Sequence, residues 1–317
     1  LVCLPNARSF CVRHVNEAMS RVEGLVLAAE APMVMIVTMP LMDTVVAVRP
    51  GEHACCRLAH APDRERLARA FVRAGLERGD KVLYSSDHDD LDTLAERLSG
   101  GDALLRSALD TGQLSIRRAT DVYTPDGRFD AERMLATVRG EHAEALSAGY
   151  RGLSMTGEMG WAVQDAQDEL TSYEQELMAD GLQGTLVFLC QYDHGRFGAG
   201  VLSEIAGAHD VDVSPELAPI GRDGCLAAAR VGPTLRLCGE LDFACADGLA
   251  HILGTHFHGP LQLDLEDVAF IDVAGMRALR GRTGQPLRMV AASPSVHRLL
   301  ALLAWDTDPG IEVITPA

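Results

Sequence analysis

The chain is predicted to be an α/β protein with a mainly parallel sheet, arranged as two successive units. Three observations lead there. Short apolar runs, such as residues 81–85 and 185–191, alternate with longer stretches whose apolar residues recur at helical spacing. Turn residues, among them Gly79 and Pro125-Asp126-Gly127, punctuate that alternation. The series pauses at a polar, Pro-containing stretch, residues 214–223, and then resumes.

Taken in order, residues 53–58 read as a short strand. Residues 63–78 read as a helix through Leu67, Ala70, Phe71 and Ala74, stopped by Gly79. A strand follows over 81–85, a helix over 90–98 and a strand over 114–117. Asp130 is placed to cap a helix running to Leu146, with Met134, Leu135, Val138, His142 and Ala145 on one face. Residues 152–156 read as a strand, 168–178 as a helix and 185–191 as a strongly apolar strand. After the pause come strands at 234–238, 261–265, 287–291 and 312–314. Helices at 245–253, 273–282 and 295–303 lie between them. The expected organisation is a leader over 1–45, a first unit over 46–213, a linker over 214–223 and a second unit over 224–317.

Composition excludes several functions. With 45 acidic against 28 basic residues the net charge is -17, so a general nucleic-acid binder or a binder of anionic membranes is excluded. Lys81 is the sole lysine. The 8 cysteines include no CxxC pair and no zinc-ribbon or disulfide spacing, which fits a reducing cytoplasm. The apolar run from Ala31 to Met42 is interrupted by Pro32 and Pro40 and is too short to span a bilayer. Residues 1–45 are expected to be a disordered leader or an upstream extension.

The second unit carries the most specific motif. Gly239-Glu240-Leu241-Asp242 is followed by Asp264-Leu265-Glu266-Asp267-Val268-Ala269-Phe270-Ile271-Asp272-Val273-Ala274-Gly275-Met276. Asp272 stands where an apolar strand turns into a helix. Its carboxylate suits the unpaired N–H groups and the positive end of that helix. With Met289-Val290-Ala291-Ala292-Ser293-Pro294-Ser295-Val296, this unit resembles the STAS domain of anti-sigma factor antagonists. The resemblance implies docking to an anti-sigma factor, a histidine-kinase-like ATPase. The implied docking residues are Glu240, Asp242, Asp272, Val273, Ala274, Gly275 and Met276. In that family a serine or threonine after the aspartate is phosphorylated to break the complex. Here that residue is Val273, which has no hydroxyl, so the phosphoswitch does not carry over.

The first unit resembles the MEDS domain of methanogen and methylotroph sensory proteins. The matching blocks are Pro50-Gly51-Glu52-His53-Ala54-Cys55, Gly75-Leu76-Glu77-Arg78-Gly79-Asp80-Lys81-Val82-Leu83-Tyr84, Gly149-Tyr150-Arg151-Gly152-Leu153, Thr156-Gly157-Glu158-Met159-Gly160-Trp161 and Cys190-Gln191-Tyr192-Asp193. The resemblance implies sensing of a small organic ligand. The Gly-Leu-x-x-Gly-Asp turn before a Val-Leu-Tyr strand also resembles a RecA/KaiC-type ATPase core. Its phosphate loop should fall at Ala59-His60-Ala61-Pro62-Asp63-Arg64, which has neither glycine nor GK[ST]. The expectation is a RecA/KaiC-like parallel sheet without a P-loop, keeping a pocket at the strand ends.

His53, Cys55, Glu158, Trp161, Tyr192 and Asp193 are the residues assigned to that pocket, with Asp87 nearby. His53 and Cys55 face the same way on a strand, but without a distant second pair of ligands they do not make a zinc site. No metal and no cofactor is assigned. No nucleophile elbow, GxGxxG, HExxH or appended helix-turn-helix is present. The function expected is a cytoplasmic signalling protein, not an enzyme, in which the sensory unit governs anti-sigma docking. The alternatives are a nucleotide- or cofactor-binding enzyme on the degenerate core, and a scaffold that senses nothing.

Overall fold

The computed structural model describes residues 48–58, 61–88, 90–163, 167–179, 184–213, 226–256, 261–281 and 287–314. The expected leader and linker, with Ala59 and His60 of the phosphate-loop position, lie outside the described residues.

The first half runs β1 (His53–Leu58), α1 (Ala61–Arg78), β2 (Lys81–Ser86), α2 (Leu91–Ser99), α3 (Ala103–Thr111), β3 (Leu114–Arg118), α4 (Ala119–Tyr123), α5 (Ala131–Ser147) and β4 (Leu153–Glu158). A 3-10 turn (Gly160–Ala162), α6 (Gln167–Ala179), β5 (Leu186–Asp193), α7 (Ala199–Gly207) and β6 (Val211–Asp212) complete it. The second half runs β7 (Leu226–Val231), β8 (Thr234–Leu241), α8 (Phe243–His256), β9 (Leu261–Ile271), α9 (Val273–Arg280), β10 (Leu287–Ala292), α10 (Pro294–Leu302) and β11 (Ile311–Val313).

Local chemistry sets the helix starts. Asp90, Asp102, Asp130, Asp272 and Ser293 each accept a backbone N–H of the turn they open. The face expected of α5 is the one it buries: Met134, Leu135, Val138, His142 and Ala145. Four elements of the first half, α3, α4, α7 and β6, were not expected, nor were the 3-10 turn and β7. The β7 sequence Leu-Ala-Ala-Ala-Arg-Val favours a helix by propensity. It is a strand because it is clamped antiparallel between β6 and β8, where small side chains fit two packed faces.

Eleven described strands form one sheet in the order β11-β10-β9-β8-β7-β6-β1-β5-β4-β2-β3. Every pairing is parallel except β6 with β7 and β7 with β8. The mainly parallel sheet is thus as expected, and it runs through both halves without a break. Alternate residues of β1 and β5 feed two cores on opposite faces: Ala54, Cys56, Val187 and Leu189 on one, Cys55, Phe188 and Cys190 on the other. In the second half, α8, α9 and α10 all contribute to a single core with Leu235, Leu263 and Met289.

The joint between the halves is narrow but packed. Asp212 of β6 pairs with Arg230 of β7, and Ala227 and Ala229 pack with Ala54, Cys56, Val211 and Val213. Beside it, Arg49 reaches Asp264 (2.8 Å) and Asp267 (2.6 Å), while Arg236 reaches Glu52 (2.7 Å) and Asp264 (3.2 Å). Among the described residues no helix is long and apolar enough to cross a membrane.

Candidate functional site

The connections leaving β1 and β5 go to opposite faces of the sheet. Helix α1 packs Leu67, Ala70 and Phe71 against the Ala54 face, and α7 packs Leu202 and Ile205 against the Cys55 face. Adjacent parallel strands whose following helices diverge leave a crevice outside their carboxyl ends, the usual ligand position in such sheets. Arg64 of α1, Glu158 at the end of β4 and Asp193 at the end of β5 meet there.

Glu158 is the centre of this edge and is buried. It accepts from Tyr84 Oη (2.6 Å), Ser86 Oγ (3.0 Å), the Asp87 backbone N–H (3.1 Å) and Arg64 Nη1 (3.5 Å). Arg64 Nη2 also donates to Asp193 (2.9 Å). Arg196 bridges Asp87 (3.1 Å) and the Gly160 carbonyl (2.9 Å). Burial, reinforced by the Glu158 charge, pushes the Tyr84 hydroxyl well up, so it stays a donor. Burial and Glu158 also raise Asp87, although Arg196 and Arg64 oppose them. Two glycines permit this packing. A Cβ on Gly157 would collide with the Tyr123 hydroxyl, and one on Gly160 with Arg196 and Asp87.

Of the other residues assigned to the pocket, Trp161 follows Gly160 on the same edge, and His53, Cys55 and Tyr192 lie in the interior. Trp161 stacks on Tyr123 (5.0 Å between centroids, 15° between planes) and lies 4.6 Å from Phe129, so its ring is engaged by the protein. His53, Cys55 and Tyr192 are corrections: all three are fully buried in the interior, not on the rim. His53 opens β1 and so lies at the opposite end of that strand from the crevice. Tyr192 turns its hydroxyl into the core to donate to Glu174. Lys81 opens β2, where it donates to the Gly112 carbonyl, again far from the carboxyl edge.

Around Glu174 lies a second polar group, sealed beneath α6. His53 Nε2 is 3.0 Å from Glu174 Oε2 and 3.3 Å from Cys190 Sγ, and His209 Nε2 is 3.7 Å from Glu174 Oε2. Burial alone would raise Glu174, but its contacts to His53, His209 and Tyr192 hold it below the usual carboxylate range. Burial pushes His209 down to about 4, with His53 adding to the effect. Burial and Glu174 push the Cys190 thiol well up.

A third site closes β8 and β9. One oxygen of Asp272 accepts from Gly275 N (2.8 Å) and the other from Phe243 N (3.0 Å), so a single carboxylate caps both α9 and α8. Gly275 lies so close to the Leu241 carbonyl that a Cβ would strike it, and Met276 is fully buried. Neither can offer a side chain to a partner, which corrects their assignment as docking residues. Glu240, Asp242, Asp272 and Ala274 are partly exposed. Phe243 is 80% exposed, Phe270 49% and Val273 39%, three apolar side chains around the Asp272 turn.

Sequence reasoning missed Arg64, Arg196, Glu174 and His209. Glu174 left a signal: it shares an i, i+3, i+4, i+7 face with Leu170, Tyr173 and Leu177, an apolar stripe in which a carboxylate is out of place. His209 left none.

A comparison with curated proteins found no match. Among solved structures the chain is similar to the flagellar accessory protein FlaH of Methanocaldococcus jannaschii at 10% identity and a TM-score of 0.38, over 59% of this chain and 76% of that one. It is similar to the uncharacterized protein PH0321 of Pyrococcus horikoshii, solved with an unknown peptide, at 14% and 0.41, over 59% and 84%. The KaiC-like protein PH0186 of Pyrococcus horikoshii OT3 follows at 8% and 0.37, over 57% and 78%. Likeness at that level does not establish a shared fold, and the architecture rests on the strand order above. The family model for the methanogen/methylotroph DcmR sensory domain, MEDS, matches residues 52–210, from the start of β1 to the start of β6. That match takes in half of the chain, and this protein therefore belongs to the MEDS sensory-domain family.

Proposed function

We propose that the chain is a cytoplasmic, non-catalytic signalling protein in which the sensory half controls a STAS-type second half that docks an anti-sigma factor. The observation that carries the docking step is the exposure of three apolar side chains, Phe243, Phe270 and Val273, on the residues that flank or hydrogen-bond the Asp272 cap. Burying one such aromatic side chain gains about 1.5–3 kcal/mol. Glu240, Asp242 and Asp272 give these side chains an acidic rim, which suits a partner with a basic one. Val273 replaces the hydroxyl a kinase would esterify, so docking is governed from the sensory half. In this reading a small organic ligand acts at the carboxyl ends of the first-half strands. Arg64, Glu158 and Asp193 lie there, and on the same edge a groove of about 490 Å³ is lined by Leu91, Ile116, Val122 and three arginines. The shared sheet and the Arg49/Arg236 ion cluster offer the route between the halves.

Titration calorimetry of the full chain with the host's anti-sigma kinase tests this. Phe243→Asp is expected to weaken binding at least tenfold, roughly 1.4 kcal/mol, and leave the unfolding midpoint unchanged. Incubation with kinase and ATP is expected to label Val273→Ser and not the parent chain. Failure of the parent chain to bind the kinase sinks the docking reading, and saturable binding of labelled ATP to the parent chain sinks the non-catalytic one.

A further inference from the structure

Four donor atoms from four separate elements converge in the first-half core: His53 Nε2 of β1, Glu174 Oε2 of α6, Cys190 Sγ of β5 and His209 Nε2 before β6. All lie within 4.8 Å of one another. The separations are 3.0 Å for His53–Glu174, 3.3 Å for His53–Cys190, 3.7 Å for His209–Glu174 and 3.8 Å for Cys190–Glu174. A tetrahedral ion with metal–nitrogen bonds of about 2.0 Å and metal–sulfur bonds of about 2.3 Å sets its donors roughly 3.3–3.7 Å apart. The four separations given lie within about 0.3 Å of that range, and no pair of donors is further apart than 4.8 Å.

The hydrogen bonding points the same way. His209 Nδ1 donates to the Ile205 carbonyl (2.7 Å), because a carbonyl only accepts. That leaves Nε2 as the bare nitrogen of the neutral ring. It is buried with no hydrogen-bond partner and it faces a carboxylate oxygen. Two lone pairs aimed at each other in an apolar interior repel unless a cation lies between them. The remaining oxygen of Glu174 is held by the Tyr192 hydroxyl. Tyr192 and Ile205 thus orient two of the donors from behind, as partners of metal ligands commonly do. His53 Nδ1, also buried, has no such partner. The charges close as well: one carboxylate, one thiolate and two neutral imidazoles balance a dication, leaving a neutral group in the core.

We propose that His53, Glu174, Cys190 and His209 form a closed site for a borderline divalent transition metal, with zinc the best match to the two-nitrogen, one-oxygen, one-sulfur donor set. On binding, the Cys190 thiol gives its proton to solvent and its sulfur pair to the metal. Four protein ligands leave no open position, so the role is structural. The ion ties β1, β5 and α6 to the segment between α7 and β6. Among the described strands of the first half, β6 is the one that pairs with the second half. This site is independent of the anti-sigma reading, and its test involves no partner.

The full chain, stripped with chelator and refilled with Zn²⁺ alone, is desalted and its metal content measured. One zinc per chain is expected, with a higher melting temperature than the stripped protein. Refilling with Co²⁺ is expected to give intense tetrahedral d–d bands and a thiolate-to-cobalt charge-transfer band. Cys190→Ser is expected to lose that band, and Glu174→Gln and His209→Ala to retain less than half of the metal. A folded parent chain that holds no zinc after desalting overturns the proposal. So does cobalt bound without the thiolate band, or full retention by a folded His209→Ala variant.

Discussion

The ends of β4 and β9 solve one problem in opposite ways. Each parallel strand finishes at a carboxylate that gathers several donors. Glu158 takes side-chain donors from Tyr84, Ser86 and Arg64 and is sealed by them. Asp272 takes only backbone N–H groups, from Gly275 and Phe243, and stands among exposed apolar side chains. The first turn satisfies itself and holds the fold. The second is locally ordered but leaves apolar surface in water, which a second molecule can cover. Position at a strand end therefore does not separate a sealed carboxylate from one that stands among exposed apolar side chains; the neighbours do.

The sharpest way to break this contrast is Glu158→Leu. It leaves a buried hydroxyl on Tyr84, another on Ser86 and half of Arg64 without an acceptor, a cost of about 2–4 kcal/mol. Urea unfolding should show a clear drop in midpoint. A loss below about 0.5 kcal/mol, the scale of an ordinary surface change, would mean the lattice does not hold the edge together.

Next in size is a pair of glycine substitutions. Gly275→Ala drives a methyl group into the Leu241 backbone, which cannot move without disturbing β8, and is expected to cost about 1–3 kcal/mol. Gly160→Ala meets the mobile ends of Arg196 and Asp87, so its cost should be smaller. If thermal unfolding ranks them the other way, the Asp272 turn is the looser of the two.

The smallest effect concerns the joint between the halves. Burial would raise Asp264, but the hydrogen bond from Arg49 and a backbone N–H outweigh it, so its carboxyl is held below the usual range. A folded-state value below the unfolded one, about 3.9, gives stability that is present above pH ~4 and lost as pH falls through the folded value. Arg49→Met should therefore lower stability more at pH 7 than at pH 3. Equal losses in urea unfolding at both pH values would show that Arg49 acts through packing and not through Asp264.

Much of this organisation is legible in the amino-acid order. The Asp130 cap, the five-residue face of α5 and the Asp272 turn come from local rules, because caps and helical spacing depend on neighbours within a turn or two. Glu158 and Asp193 were placed at strand ends for the same reason. His53 stands at the wrong end of β1, and the misplacement of Cys55 and Tyr192 has another cause: alternation tells which residues share a face of a strand, not whether that face is covered. Helix α6 covers theirs. For β7, an alanine-rich run, local propensity pointed to a helix and pairing partners distant in the chain decided otherwise.

By itself the sequence determined the class of fold, the helix starts at Asp130 and Asp272, the absence of a phosphate loop and of a hydroxyl at Val273, and the family of the first half. Only the tertiary structure decided that both halves share one sheet. It alone brought Glu174 and His209 to His53 and Cys190, and set the Phe243 N–H on the Asp272 carboxylate. The physical reason is range. Caps, turns and periodicity are written within a few residues, whereas donor clusters and exposed patches depend on which distant segments the closing sheet brings together.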